Sequence, residues 1–293
     1  MSIAVAVPTG NIAKFLLPKL ISSGEEIIVL TRSPHKLDPL LKDKVKVEVG
    51  ALEDAGFVER ATKGVDALYW LNPGNKKAED VHGWYKLYGQ SVSNAVERNE
   101  IKYVVNISTI IPEVVEAGVA DGIVHVEEYL NRTNANVVHL RPGFFLENIL
   151  AQKEDLKTKG IISFPIPPNR PIAFIATSDI AEVASQYLLK RDWSGKQIHV
   201  LHGAEDITFE EAAKRLGKVT EHELNYVFIS LEDFFQNLLD KGVTEAAALG
   251  YTDIYRSMHL PREVEGERSP RTTTSTTVEL WGKNVLRPNL GSI

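Results

Sequence analysis

The sequence predicts an α/β fold: a doubly wound parallel sheet with a smaller C-terminal α+β lobe. Three observations predict it. Apolar runs without polar alternation, such as Ile3 to Val7 and Ile27 to Leu30, suit strands buried on both faces. Helical stretches separate these runs, the mark of parallel strands joined by crossover helices. Beyond residue 150 the alternation gives way to short strands and the proline-rich stretch Pro165 to Pro171, which suits no regular element. The expected domains are residues 1–150, which bind a nucleotide, and 151–293, a substrate or partner lobe, with part of 172–201 returning to the sheet.

The first strand leads into Pro8-Thr9-Gly10-Asn11-Ile12-Ala13 and a helix whose apolar face is Ile12, Phe15, Leu16 and Leu20. Unpaired amides at a helix start form an anion site, and Gly10, Asn11 and Ile12 are the candidate donors beside Thr9. A dinucleotide fingerprint would put glycine at the places of Val7 and Ala13, and Pro8 has no N–H. Valine resists positive φ, so the strand is expected to run through Val7 and turn at Thr9-Gly10. Read alone, the loop is equally compatible with a strand-turn-helix that binds nothing.

The second strand ends at Thr31-Arg32-Ser33-Pro34-His35-Lys36. Arg32 lies 22 residues after Gly10, where an NAD-binding fold carries an acid for the ribose hydroxyls. A guanidinium there can pair with a 2′-phosphate instead, and Ser33 and Lys36 complete a cationic, hydroxyl-bearing pocket. The cofactor expected from this pocket is NADP(H).

Further strands follow at Val45 to Val49, Val65 to Leu71, Tyr103 to Ser108 and Asn136 to Leu140, with helices at 79–99 and 122–131 and a loop at 111–120. Ligands of such sheets bind beyond the carboxyl ends of the strands. That rule gathers Thr9 to Ile12, Arg32, Asn72, Ser108 and Arg141 to Phe145 around one cleft. In the lobe, Thr208 with Glu211 forms a capping box, Thr177 or Ser178 caps a helix from Asp179, and 261–277 reads as a polar loop.

Composition narrows the classes of function. With 43% hydrophobic and 25% charged residues the chain is ordinary for a globular protein, and a net charge of −6 argues against binding nucleic acid. There is no cysteine, so thiolate chemistry is excluded, and the eight histidines show no metal-ligand spacing. No apolar run approaches a membrane span, and the expectation is a soluble cytoplasmic protein acting on a small molecule.

Several stretches together resemble the NmrA-like family of atypical short-chain dehydrogenases/reductases. They are Thr9-Gly10-Asn11-Ile12, Thr31-Arg32-Ser33-Pro34, Gly64-Val65-Asp66-Ala67, Ile107-Ser108, Leu140 to Asn148 and Thr177 to Ala184, in the family's order over most of residues 1–190. The resemblance implies a Rossmann domain, a small C-terminal lobe and NADP(H). Some members reduce quinones, enones, imines or similar molecules; others sense the nicotinamide pool without turnover.

The wider superfamily reduces with a Tyr and a Lys four residues apart. Counted back from Glu127, those places hold Val119 and Ile123, which cannot move a proton. Ser108 stands where the superfamily keeps a substrate-facing hydroxyl. His125 and Tyr85 are the other candidate proton donors, and Phe144 is a candidate wall for the nicotinamide. Asn72 is a candidate cofactor contact, and Glu147 a candidate for the floor of the substrate site. Three functions are consistent with this set: an NADP(H)-dependent reductase of a small, largely apolar carbonyl, enone or imine; a non-catalytic NADP-sensing regulator; and a Rossmann-derived protein with a non-redox cleft.

Overall fold

The computed structural model describes residues 1–110, 118–259 and 268–291. Its centre is β1 (Ser2–Ala6), all five residues buried. β1 pairs in parallel with β2 (Glu26–Thr31) on one side and β4 (Ala67–Leu71) on the other. Outside these lie β3 (Lys46–Val49) and, in turn, β5 (Tyr103–Ile107), β6 (Asn136–Pro142) and β10 (Lys196–Leu201). The resulting order, β10-β6-β5-β4-β1-β2-β3, is parallel throughout and reverses direction of growth at β1. That reversal opens the crevice in which such sheets take ligands.

The two sheet faces are covered by different helices. Ile3, Val5, Val29, Val105 and Leu140 pack with residues of α1 (Ala13–Ser22) and α8 (Thr177–Lys190). Ala4, Ala6, Trp70, Val104 and Val137 pack with residues of α3 (Ala55–Ala61), α4 (Val81–Arg98) and α5 (Val119–Asn131). A short helix α2 (Pro39–Lys42) lies before β3. Of the loop expected at 111–120, residues 111–117 lie outside the described residues, and α5 begins at Val119 rather than at 122.

The lobe has its own core. β7 (Phe144–Phe145), β9 (Ile172–Ile175) and β11 (Asp206–Ile207) form one small sheet; β8 (Ile161–Phe164) and β12 (Asn225–Phe228) form another. α6 (Glu147–Leu150), α7 (Lys153–Lys159), α9 (Phe209–Thr220), α12 (Val278–Trp281), a π turn (Gly282–Leu286) and α13 (Arg287–Leu290) pack around them. An α10 (Leu231–Asp240) and α11 (Glu245–Ser257) hairpin lies beside that group, Tyr255 of α11 packing against its core. Of residues 172–201, β10 joins the large sheet and β9 stays in the lobe. The polar loop expected at 261–277 falls partly on 260–267, outside the described residues. No helix among the described residues is long and apolar enough to cross a membrane.

Long-range capping joins the parts. Neither Thr177 nor Ser178 caps α8. The amide of Thr177 instead donates to the buried Glu147 carboxylate at 3.0 Å, whose other oxygen accepts the Trp281 indole N–H at 3.1 Å. Glu147 is therefore a structural bridge rather than the floor of a substrate site. Thr208 does cap α9, accepting the amide of Glu211 at 3.2 Å.

Candidate active site

The chain turns out of β1 one residue earlier than the sequence suggests. Val7 takes φ +51, the left-handed region that a β-branched residue enters at a cost of about 1–2 kcal/mol. Its carbonyl accepts the amide of Gly10 at 3.0 Å, closing a turn over Pro8 and Thr9. A Cβ at position 10 would sit 3.2 Å from that carbonyl oxygen and 3.3 Å from Val7 Cγ1, so any larger residue would push the turn open by a few tenths of an ångström. The turn uses the Gly10 N–H, which removes it from the expected donors. The amides of Asn11 and Ile12 meet no protein acceptor among the described residues, and α1 has no side-chain cap. Two free amides at the positive end of a ten-residue helix fit a diphosphate.

Beyond β2, Arg32 and Lys36 are exposed, and Ser33 is held by its amide's bond to Thr31 Oγ1 at 3.0 Å. A residue not singled out in the sequence enters here. Glu53 lies 3.5 Å from the Arg32 guanidinium and accepts the Tyr88 hydroxyl at 3.1 Å. With Arg32 58% exposed, such a pair is weak and leaves the guanidinium free to turn toward a phosphate. The signal that could have found Glu53 is its place just after β3, the next strand beyond Arg32.

At the ends of β4 and β5 two buried polar groups lack partners among the described residues. Asn72 Oδ1 accepts the Trp70 indole N–H at 2.8 Å, but its Nδ2 has no protein partner. Ser108 donates its amide to the Leu140 carbonyl at 2.8 Å, and its buried Oγ has none. An unsatisfied buried donor costs about 1–3 kcal/mol, and here two stand at the carboxyl ends of neighbouring strands. A nicotinamide ribose or a polar substrate group would satisfy both, so the residues present fit a dinucleotide.

Below them lies a polar layer that the apolar strand pattern concealed. Arg141 Nε and Nη2 donate to the two Glu127 oxygens at 3.0 and 2.7 Å, a buried bidentate pair. His139 sits between Asn131 and Asn106, its Nε2 3.0 Å from Asn131 Oδ1 and its Nδ1 3.1 Å from Asn106 Nδ2. Burial lowers the imidazole pKa to about 4, so the ring is neutral, with Nε2–H donating and Nδ1 accepting. Both pairings hold α5 against β5 and β6.

Three expected residues stand elsewhere. His125 is on the outer side of α5, its side chain 46% exposed and its Nδ1 3.3 Å from Glu128; two residues from Glu127 is about 200° around a helix, which turns it from the sheet. Tyr85 is inward, but a Cβ on Gly122 would meet its ring at 2.2 Å, and burial drives its phenol pKa far up. It packs the α4–α5 contact and cannot serve as a ready acid. Phe144 lies in the lobe's aromatic core, edge-on to Phe164, Phe174 and Phe209 at 5.3, 5.7 and 5.3 Å. It is core, not a wall for the nicotinamide. A groove of about 570 Å³ between α8 and residues 270–275 includes none of the strand-end loops named above. The chemistry of the strand ends, rather than cavity size, therefore locates the site.

A parallel sheet reversing at β1, with helices on both faces, is the architecture of a Rossmann-type α/β protein. The model of the NmrA-like family matches residues 1–255, and the chain belongs to that family. Quinone oxidoreductase 2 of Escherichia coli is 23% identical over 248 residues, 84% of each chain. An NAD(P)H azoreductase of Xenophilus azovorans is 23% identical over 260 residues, 86% of each. Among solved structures, the Citrobacter sp. triphenylmethane reductase complexed with NADP(H) superposes with a TM-score of 0.76 at 18% identity, covering 96% of this chain and 99% of that one.

Proposed function

We propose that this protein is an NADP(H)-dependent oxidoreductase that reduces a small, largely apolar conjugated acceptor such as a quinone, enone or imine. The observation that carries the reading is the pair of partnerless buried groups, Asn72 Nδ2 and Ser108 Oγ, beside a helix start with two free amides. The names of the relatives support it: a quinone oxidoreductase, an azoreductase and a triphenylmethane reductase.

The amides of Asn11 and Ile12 hold the diphosphate, Arg32 with Ser33 and Lys36 holds the 2′-phosphate, and Asn72 orients the ribose. When bound, NADPH supplies the hydride. Ser108 offers its hydroxyl to the polar end of the acceptor. Val119 and Ile123, in the places of the superfamily's Tyr and Lys, leave that wall apolar and uncharged, which suits an acceptor that needs no strong acid. The same absence favours a second reading, a regulator that binds NADP(H) without turnover.

Fluorescence titration with NADPH, followed by NADPH oxidation across a panel of quinones, azo dyes, enones and imines, separates the two. Binding with turnover is the expected result; binding without turnover supports the regulator, and no binding overturns both. Arg32→Glu is expected to weaken NADPH at least about tenfold while sparing NADH, because a charge-assisted pair to phosphate is replaced by repulsion. Unchanged selectivity would refute the role of Arg32.

A further inference from the structure

The place left apolar by Val119 is covered by α11. A Cβ on Gly250 would lie 3.2 Å from Val119 Cγ2 and 3.5 Å from the Val119 amide nitrogen. Gly118, at φ +56, in turn faces the Gly250 carbonyl oxygen, 2.5 Å from where a Cβ would be. Two glycines thus let the backbones of α11 and the start of α5 touch. The next residue of α11 is Tyr251. Its hydroxyl is close enough to Gly74 that a Cβ there would come within 2.2 Å of it. Gly74 is two residues beyond Asn72, on the loop that leaves β4.

The hairpin that carries Tyr251 is fastened to the same loop. Thr244, before α11, donates its amide to the Lys76 carbonyl at 3.0 Å and its hydroxyl to the Ala78 carbonyl at 2.6 Å. The Lys77 ammonium reaches the Gly242 carbonyl. The position of the phenol relative to Asn72 is therefore set by both ends of one short loop. Of the other buried phenols, Tyr88 binds Glu53 and Tyr226 binds the carbonyls of Phe164 and Ile166, whereas the Tyr69 hydroxyl is enclosed without a partner among the described residues on the opposite face of the sheet, toward α1 and α8. The Tyr251 hydroxyl donates to no protein acceptor among the described residues, and partial burial raises its pKa, which keeps the proton on it.

We propose that Tyr251 donates the hydrogen bond that holds and polarises the acceptor's oxygen, replacing from the C-terminal lobe the tyrosine that α5 lacks. This rests on the reductase reading above. The acceptor takes up a hydride from the reduced nicotinamide and a proton from solvent, so atoms and electrons balance with Tyr251 unchanged. A phenol that stays protonated is a fixed donor aimed at the oxygen as negative charge develops there, which is electrostatic stabilisation rather than acid catalysis.

The test uses the full chain loaded with NADP+, which cannot reduce the acceptor, titrated calorimetrically with 1,4-naphthoquinone. Tyr251→Phe keeps the ring against Gly74 and is expected to weaken the quinone about fivefold, the worth of one neutral hydrogen bond, with NADP+ affinity unchanged. Gly74→Ala, which pushes the hydroxyl aside, is expected to weaken it in the same direction. Tyr85→Phe is expected to bind as the native chain does. Quinone affinity unchanged in Tyr251→Phe, or a loss carried by Tyr85→Phe instead, overturns the proposal while the reductase reading stands. A native chain that neither binds the quinone nor oxidises NADPH with it overturns both.

Discussion

The two faces of the large sheet are built from the same strands and do different work. Toward α1 and α8 the strands present Val5, Val105, Ile107, Val138, Leu140 and Leu201, a face closed to water and almost without polar atoms. Toward α4 and α5 the alternate positions present Asn72, Asn106, Ser108, His139 and Arg141, all buried. Side chains alternate across a strand, so one step in parity separates plain core from chemistry. On the polar face a second distinction follows. Arg141 and His139 are paired and hold α5 in place, whereas Asn72 Nδ2 and Ser108 Oγ have no partner among the described residues, which is the basis of the proposed site.

The largest effect that tests this contrast is expected at Arg141. Arg141→Ala leaves Glu127 buried and unpaired and should cost about 3–5 kcal/mol, read as a fall in the urea midpoint. The double variant Arg141→Met with Glu127→Leu should recover most of that loss, since no lone charge remains. If the single variant is as stable as the native chain, the pair is not what secures the polar face.

A somewhat smaller effect is expected from acid. Burial lowers the His139 pKa to about 4 in the folded chain from an ordinary 6.5, so within that window the unfolded chain binds a proton that the folded chain refuses. Its contribution is whole above pH 6.5 and declines as pH falls toward 4, by about 3 kcal/mol at most. Urea midpoints at pH 7 and 5 should differ less in His139→Gln, and equal slopes in the two proteins would remove His139 as the cause. The apolar face supplies a control, because Leu140→Ala should lower stability by about 2–5 kcal/mol without changing the slope with pH.

The smallest stability effect is expected at Ser108. Its hydroxyl has no partner among the described residues, so Ser108→Ala should shift stability by no more than about 0.5 kcal/mol. Turnover or ligand affinity should nevertheless fall. A large loss of stability with ligand binding intact would move Ser108 from the site to the scaffold.

How much of this was readable in advance varies with the distance over which each feature acts. The strands expected at Ile3 to Val7, Ile27 to Leu30, Val65 to Leu71 and Tyr103 to Ser108, each present within one or two residues at its ends, the capping of α9 by Thr208 and the place of Arg32 at the end of β2 follow from local pattern, because burial periodicity and capping are properties of a few adjacent residues. Val7 went the other way. Its own preference is for extended backbone, and a turn closed on Gly10 with its side chain packed on the core overrides it. His125, Tyr85 and Phe144 share the same difficulty, since chain position does not say which side of a helix or which core a side chain meets.

The sequence by itself determined the order of strands and helices, the turn into α1 after β1 and the absence of a Tyr/Lys pair on α5, since each is encoded in neighbouring residues. Only the tertiary structure decided that Glu53 stands against Arg32, that Glu147 joins α8 to Trp281, and that α11 brings Gly250 against Val119 and Tyr251 against Gly74. Those meetings join residues far apart in the chain, and their partners are selected by how whole elements pack.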